Sequence, residues 1–455
     1  MAINVINPAT AEMVKTYKEM SADEVDRIIS DVDKAFLSWR TVSFRERAVC
    51  MKKAADILRQ NAKEYAQLMT LEMGKPIKQS IGEVEKCAWV CDYYADQAEV
   101  FLKDERIETD ASKSYIAYNP LGIVLAIMPW NFPFWQVFRF LAPTLMAGNT
   151  GLLKHAPNVT GCALAIEDIV RKAGFPDNVF RTVILENENV ARVIENPLVK
   201  AVTLTGSTRA GKAVGAKAGA YLKKVVLELG GSDPYLILED ADLEKAAQTC
   251  VTSRMINGGQ SCVAAKRFIV VESVREQFEK LFVENMKSYQ IGDPTEEATV
   301  LGAMARHDLR DELHRQVQDS IKKGARCLVG GELPDHKGAF YPATVLTNVK
   351  KGMPAYDEEM FGPVASIISA KDTEDALKIA NDSIYGLGSA VFTQNTALGE
   401  EIASRRLEAG CSFVNTFVKS DPRLPFGGIK ESGYGRELSY LGIREFVNIK
   451  TVYVA

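Results

Sequence analysis

Apolar side chains are spaced in two ways along this chain. Before about residue 105 they recur every three to four positions, as in Val25, Ile28, Ile29, Val32, Phe36 and Trp39, the stripe of a helix with one face to bury. Ser21-Ala22-Asp23-Glu24, Ser43-Phe44-Arg45-Glu46 and Ser80-Ile81-Gly82-Glu83 share the Ser-x-x-Glu form in which side chain and backbone cap each other, and each stands before a long periodic segment. Gly74-Lys75-Pro76 separates the last two segments. This part reads as a helical layer laid on something else.

Beyond about residue 115 unbroken apolar runs replace the stripe. Residues 123–128, 151–153, 182–185 and 201–204 alternate with helical stretches at 138–146 and 160–173, and a second series follows at 235–238, 268–271, 365–368, 388–392 and 411–414. Strands apolar on both faces and alternating with helices predict parallel sheets covered on two sides. Such sheets bind ligands at the carboxyl ends of their strands. Residues 114–118 and 447–454 alternate apolar with polar positions and can pair as an extra sheet, whose exposed edge favours subunit association.

Composition narrows this picture. At 455 residues the chain exceeds one hydrophobic core and divides most naturally into two α/β domains. With 47% hydrophobic and 25% charged residues and a formal net charge of -4, it predicts a soluble protein with no nucleic-acid or membrane partner. The N-terminus, Met1-Ala2-Ile3-Asn4-Val5-Ile6-Asn7-Pro8, has no basic leader or long apolar run, and the eight cysteines are too dispersed for a disulfide framework. A cytoplasmic location is expected. Cys87 and Cys91 are spaced for one helix face, but no histidine lies near them, so packing is expected there and no metal site.

Three stretches bring in chemistry. In Asn257-Gly258-Gly259-Gln260-Ser261-Cys262 a cysteine follows two glycines and small or polar residues. A tight turn of that kind presents a nucleophilic sulfur, provided that its pKa falls below the free value of about 8.5; a small core thiol is the plainer alternative. Glu228, ending an apolar strand before Leu229-Gly230-Gly231, is partly desolvated and suits a general base, or else serves as a structural carboxylate. Asn131, hemmed by Trp130, Phe132 and Pro133, offers a fixed amide to a developing oxyanion, or caps a helix. Leu204-Thr205-Gly206-Ser207 ends a strand in a glycine turn before a helix, a place for a phosphate or a plain connection.

Taken together these stretches resemble the aldehyde dehydrogenases over almost the whole chain. Six motifs of that family occur in order: Pro-Trp-Asn-Phe-Pro at 129–133, Thr-Gly-Ser-Thr at 205–208, Glu-Leu-Gly-Gly at 228–231, Gly-Gln-x-Cys at 259–262, Glu-x-Phe-Gly-Pro-Val at 359–364, and Pro-Phe-Gly-Gly-x-Lys-x-Ser-Gly-x-Gly-Arg-Glu at 425–437. The resemblance implies an α/β fold with two Rossmann-like parallel-sheet domains and a small β oligomerisation segment. Residues 1–105 and 121–228 would bind NAD(P), 229–435 would form the catalytic domain, and 106–120 with 436–455 would join subunits into a homodimer or homotetramer. It further implies that Cys262 attacks an aldehyde, that Asn131 and the Cys262 N–H hold the oxyanion, and that Glu228 activates water against the thioester. Trp130, Lys154, Pro157, Thr205, Gly206, Ser207, Gly211, Leu229, Glu359 and Phe361 would line the cofactor.

Departures from the family pattern bear on specificity. Lys154-His155-Ala156-Pro157 replaces the Lys-Pro-x-Glu common in NAD-preferring relatives, so NADP is tolerated, with Lys154 and His155 nearby, and NAD also serves. Ser261 precedes the nucleophile where some relatives have a second cysteine, and Phe140 stands where many have a basic residue. In a helix begun near Asn131, Trp135 and Arg139 share one face. Arg139 there either clasps a carboxylate with its planar fork or joins an ion pair within the protein. With Ser261, Ser420 and Phe426 they would line the substrate tunnel, and the cationic loop Lys419-Ser420-Asp421-Pro422-Arg423 most resembles that of bacterial succinate-semialdehyde dehydrogenases. A broad-range aldehyde dehydrogenase, a non-catalytic binding protein with this fold and a redox-free thiol hydrolase remain open at this stage.

Overall fold

Both serine caps near the N-terminus form as their spacing predicts. In this computed structural model, which describes residues 2–455, Ser21 and Ser43 make reciprocal capping boxes with Glu24 and Glu46 at the starts of helices Ala22–Trp39 and Phe44–Gln60. The third signal fails. Ser80 lies inside the helix Ile77–Phe101, which begins directly after Pro76. Proline fixes φ near the helical value and needs no donor, so it opens a helix without a serine. Cys87 and Cys91 lie on the buried face of this helix, among Val84, Ala88 and Tyr94.

The first apolar series forms a six-stranded sheet, ordered Gly433–Tyr434, Lys224–Glu228, Val199–Thr205, Ile123–Met128, Thr150–His155, Phe180–Thr182. Five strands run parallel, and Gly433–Tyr434 joins antiparallel to Lys224–Glu228. That last strand was expected in the second sheet's segment; its two residues are too short to show a strand pattern. The run at 182–185 is also shifted, because the strand is Phe180–Thr182 while Val183 and Leu185 are apolar for a different reason, burial in the core against Val25 and Ile29.

The second sheet has seven strands, ordered Arg326–Val329, Thr344–Thr347, Val364–Ala370, Arg267–Val271, Pro234–Ile237, Gly388–Phe392, Cys411–Val414. All neighbours are parallel except the first pair. Strands Arg326–Val329 and Thr344–Thr347, and the hairpin Ala2–Ile6 with Met13–Lys18, are too short or too polar to stand out in the sequence. A third sheet pairs Val447–Val454 with Lys113–Pro120, and Glu105–Arg106 flanks it. No helix among the described residues is long and apolar enough to cross a membrane.

One helix start matters for the site. The helix Trp135–Met146 begins four residues after Asn131, earlier than position 138 and without a local side-chain cap. Glu83, reaching from the helix Ile77–Phe101, accepts the N–H groups of Phe134 and Trp135, both at 2.9 Å, and is ion-paired with Lys75. Both partners of the pair are fully buried. Removing one partner of such a pair strands the other charge. Glu83→Ala should therefore lower unfolding free energy by about 3–5 kcal/mol, read as a drop in the urea midpoint at unchanged slope.

Candidate active site

Between the helix Leu243–Met255 and the strand Arg267–Val271 the backbone makes a turn that few sequences can follow. Asn257, Gly258 and Gly259 all have positive φ, at 53°, 58° and 76°. A Cβ on Gly259 would lie 2.0 Å from the carbonyl oxygen of Gly362, so only glycine fits there. The turn delivers Cys262, half-buried, to a cavity of about 430 Å³. Lys266 ties the loop down from within, donating to the carbonyl oxygens of Ser261 (3.0 Å), Cys262 (2.8 Å) and Ala264 (3.2 Å).

Asn131 is fixed to the same loop. Its Nδ2 donates to the Gln260 carbonyl (3.1 Å), and Asn257 Nδ2 donates to the Asn131 carbonyl (2.6 Å) and to Gln260 (3.2 Å). The cap role is excluded, since the following helix starts at Trp135 with Glu83 as its acceptor. The Cys262 thiol departs from expectation. Burial pushes it up to about 12, against the pull of Arg139 and Lys266, so the sulfur rests protonated rather than as a ready thiolate.

Glu228 ends its strand fully desolvated, and neither carboxylate oxygen meets a hydrogen-bond donor. Burial, aided by the neighbouring Glu437, holds its pKa well above the carboxylate range, opposed by Arg139 and Arg436. The strand end and the cysteine loop are in contact: a Cβ on Gly231 would stand 2.9 Å from the Cys262 carbonyl oxygen. Arg139 makes the internal ion pair that was one of its two expected roles. Its Nε is ion-paired with Glu437, its Nη2 donates to Thr205 Oγ1 (3.4 Å), and its guanidinium lies 4.8 Å from the Phe426 ring centroid. Its Nε and Nη2 thus face partners within the protein, while the side chain still lines the cavity.

On the opposite side of the loop lie the residues expected to hold a cofactor. Ser207 caps the helix Thr208–Ala220, accepting the Ala210 N–H, and Gly211 packs so tightly on Leu229 that a Cβ would meet it at 2.4 Å. Glu359 accepts the Gly231 N–H (3.0 Å) and stands 3.4 Å from Lys266, and the Trp130 and Phe361 rings meet edge-on at 5.7 Å. Lys154 is buried and bonded to the neutral amide oxygen of Asn187, and burial draws it down to about 8. A buried cation bonded to a neutral amide rather than a carboxylate fits the anionic or hydroxyl groups of a dinucleotide. Pro157 follows on a short 3-10 turn. His155 does not join this group. Its Nδ1 accepts the Ala156 N–H (2.9 Å) and its Nε2 donates to the Pro133 carbonyl (2.9 Å), so the ring braces the loop before Asn131, and burial pushes it down to about 4.

Trp135, Arg139, Ser261, Ser420 and Phe426 all line the cavity that contains Cys262, as do Lys86 and Lys419. Sequence reasoning missed Lys86, Lys266, Gln260, Asn257 and Glu437. Gln260, Asn257 and Glu437 sit inside the quoted stretches and Lys266 lies four residues past Cys262, so closer reading could have flagged them. Lys86 had no such signal, because a lysine on an amphipathic helix reads as solvated surface.

The comparisons agree with this geometry. The aldehyde dehydrogenase family model matches residues 1–452. The chain is 50% identical over 455 residues, covering all of both chains, to a probable NADP(+) succinate-semialdehyde dehydrogenase of Synechocystis. It is 48% identical to an NAD(P)+ succinate semialdehyde dehydrogenase of Escherichia coli, covering 98% of this chain and 97% of that one. The crystal structure of succinic semialdehyde dehydrogenase from Streptococcus pyogenes in complex with NADP+ superposes with a TM-score of 0.97 at 37% identity over 99% of both chains. With the family match spanning nearly every residue, the chain belongs to the aldehyde dehydrogenase family.

Proposed function

We propose that the protein oxidises succinate semialdehyde to succinate with NADP or NAD, as the names of its full-length relatives suggest. The observation that carries this reading is the cavity itself, which joins Cys262 to a wall bearing Trp135, Arg139 and Lys86. A nucleophile and cationic side chains lining one cavity suit an aldehyde that ends in a carboxylate.

Each group has a physical task. Cys262 adds to the aldehyde carbon after losing its proton, a loss that the nearby charges of Arg139 and Lys266 favour. The Asn131 amide and the Cys262 N–H receive the oxygen as it becomes an oxyanion. NADP or NAD, when bound, would supply the acceptor for the hydride. Loss of hydride from the adduct leaves a thioester on Cys262, and Glu228, as carboxylate, takes a proton from the water that hydrolyses it. Trp130, Lys154, Pro157, Thr205, Gly206, Ser207, Gly211, Leu229, Glu359 and Phe361 would hold the cofactor, with Glu359 on the nicotinamide ribose. Two further assignments belong to this reading: a cytoplasmic enzyme, supported by eight unpaired cysteines, and a homodimer or homotetramer, supported by the free edge of Val447–Val454 with exposed Ile449 and Tyr453.

Kinetics with succinate semialdehyde and butanal, each with NADP and with NAD, test the reading. Efficiency for the semialdehyde should exceed that for butanal by about tenfold or more, and equal efficiencies would reject the carboxylate-selective reading. Glu228→Gln should still release one equivalent of NADPH in rapid mixing, while steady-state turnover falls by about 10²–10⁴. Because Glu228 acts as carboxylate and its pKa is raised, kcat should fall as pH drops through a value well above the usual carboxylate range. Glu437→Gln removes a like charge and frees Arg139; both lower the Glu228 pKa, so the acid limb of the kcat profile should move to lower pH.

A further inference from the structure

Glu228 is followed by two glycines at which a side chain would collide. A Cβ on Gly230 would lie 2.4 Å from Glu359 Oε2, and one on Gly231 would lie 2.9 Å from the Cys262 carbonyl oxygen. Glycine permits that closeness but leaves a backbone freer than any other residue's. The Glu228 side chain does not make up for this, because neither carboxylate oxygen is held by a hydrogen bond. The aim of the carboxyl is therefore set by whatever holds the backbone from 228 to 231.

Two side chains from distant segments hold it. Glu359 accepts the Gly231 N–H at 3.0 Å. Ser432, fully buried, donates its hydroxyl to the Gly230 carbonyl at 2.6 Å, so the peptide between the two glycines is gripped at both edges. The same Oγ accepts the Gly386 N–H (3.0 Å), two residues before the strand Gly388–Phe392 of the second sheet. The Ser432 carbonyl accepts the Leu229 N–H (3.0 Å), and the next residue, Gly433, pairs with Glu228 itself. One hydroxyl thus spends its donor on the end of the base strand in the first sheet and an acceptor site on the second sheet.

We propose that Ser432 is a positioning residue for the general base: its hydroxyl locks the Gly230 peptide to the second sheet and so aims the Glu228 carboxyl at the thioester on Cys262. This rests on the role given to Glu228 above and deepens it. Ser432 is not part of the cavity wall at Cys262, so it acts through the backbone. Capture of the aldehyde depends on other holds, with Lys266 on the cysteine loop and Asn257 on Asn131. Glu359 keeps a second tie of its own, to Lys266 at 3.4 Å, so the cofactor side retains an anchor. Loss of the hydroxyl should therefore spare the first half of the reaction, in which Cys262 adds and hydride leaves. The second half, in which Glu228 must meet both a water and a thioester, should slow.

The test compares full-length wild type, Ser432→Ala, Ser432→Cys and Glu228→Gln, in rapid mixing and in steady state, with succinate semialdehyde and NADP. Ser432→Ala removes the hydroxyl with little change of volume. Its first turnover should release one equivalent of NADPH at a rate within about threefold of wild type, while kcat falls roughly 10- to 100-fold with KM for NADP little changed. Ser432→Cys keeps a weak donor and acceptor and should fall between the two. A kcat equal to wild type in Ser432→Ala overturns the assignment. So does a burst rate that falls by the same factor as kcat, which is what a general loosening of the site gives. If Ser432→Ala does not fold, as judged by circular dichroism, either of those results in Ser432→Cys overturns it instead. Glu228→Gln without loss of kcat defeats the role of the base itself, whereas a split seen in Glu228→Gln but not in Ser432→Ala defeats the role of Ser432 alone.

Discussion

One buried ammonium organises the centre of this molecule. Lys266 spends its donors on three carbonyl oxygens of the loop that presents Cys262, and it stands 3.4 Å from Glu359, which in turn holds the Gly231 N–H beyond Glu228. The nucleophile loop, the end of the base strand and the acid on the cofactor side therefore share a single positive charge. A free lysine side chain is among the most mobile in a protein, so fixing one in the interior costs both entropy and hydration. What offsets that cost is the number of charge-assisted hydrogen bonds it makes, each stronger than a neutral one.

Exclusion of water is the second constraint, and it acts in the same sense on five titratable groups in and around the cleft. Cys262 and Glu228 are pushed up, and Lys86, Lys154 and His155 are pushed down. Each moves toward its neutral form because the charged form has lost its solvent. The Cys262 thiol and the Glu228 carboxyl are thus both biased toward their neutral forms, opposed by the fixed cations around them. A low dielectric that raises the cost of ionisation also strengthens each remaining charge interaction, so the groups that receive substrate and cofactor act over short range and with high selectivity.

How much of this was legible in the sequence depends on how local its cause is. The caps at Ser21 and Ser43 were readable because everything a capping box needs lies within four residues. The same signal misled at Ser80, where Pro76 had already opened the helix. Parallel strands showed as apolar runs because both of their faces are buried, but Val183 and Leu185 look the same for a different reason, and the two-residue strand Gly433–Tyr434 has no pattern to show. The trio of Cys262, Glu228 and Asn131 was found through motifs. The protonation of Cys262 and the pairing of Arg139 with Glu437 were not, because both depend on neighbours from distant segments.

That short strand also bears on how the chain matures. Gly433–Tyr434 closes the edge of a sheet whose other strands end at Glu228, and Glu437, a few residues on, supplies the partner of Arg139. On a ribosome the first sheet would wait for nearly the whole polypeptide before its outer edge is covered and its buried guanidinium neutralised. A truncation that spares every catalytic side chain would leave that edge bare, so loss of a short C-terminal piece should produce a sticky, chaperone-dependent product rather than a merely slower catalyst.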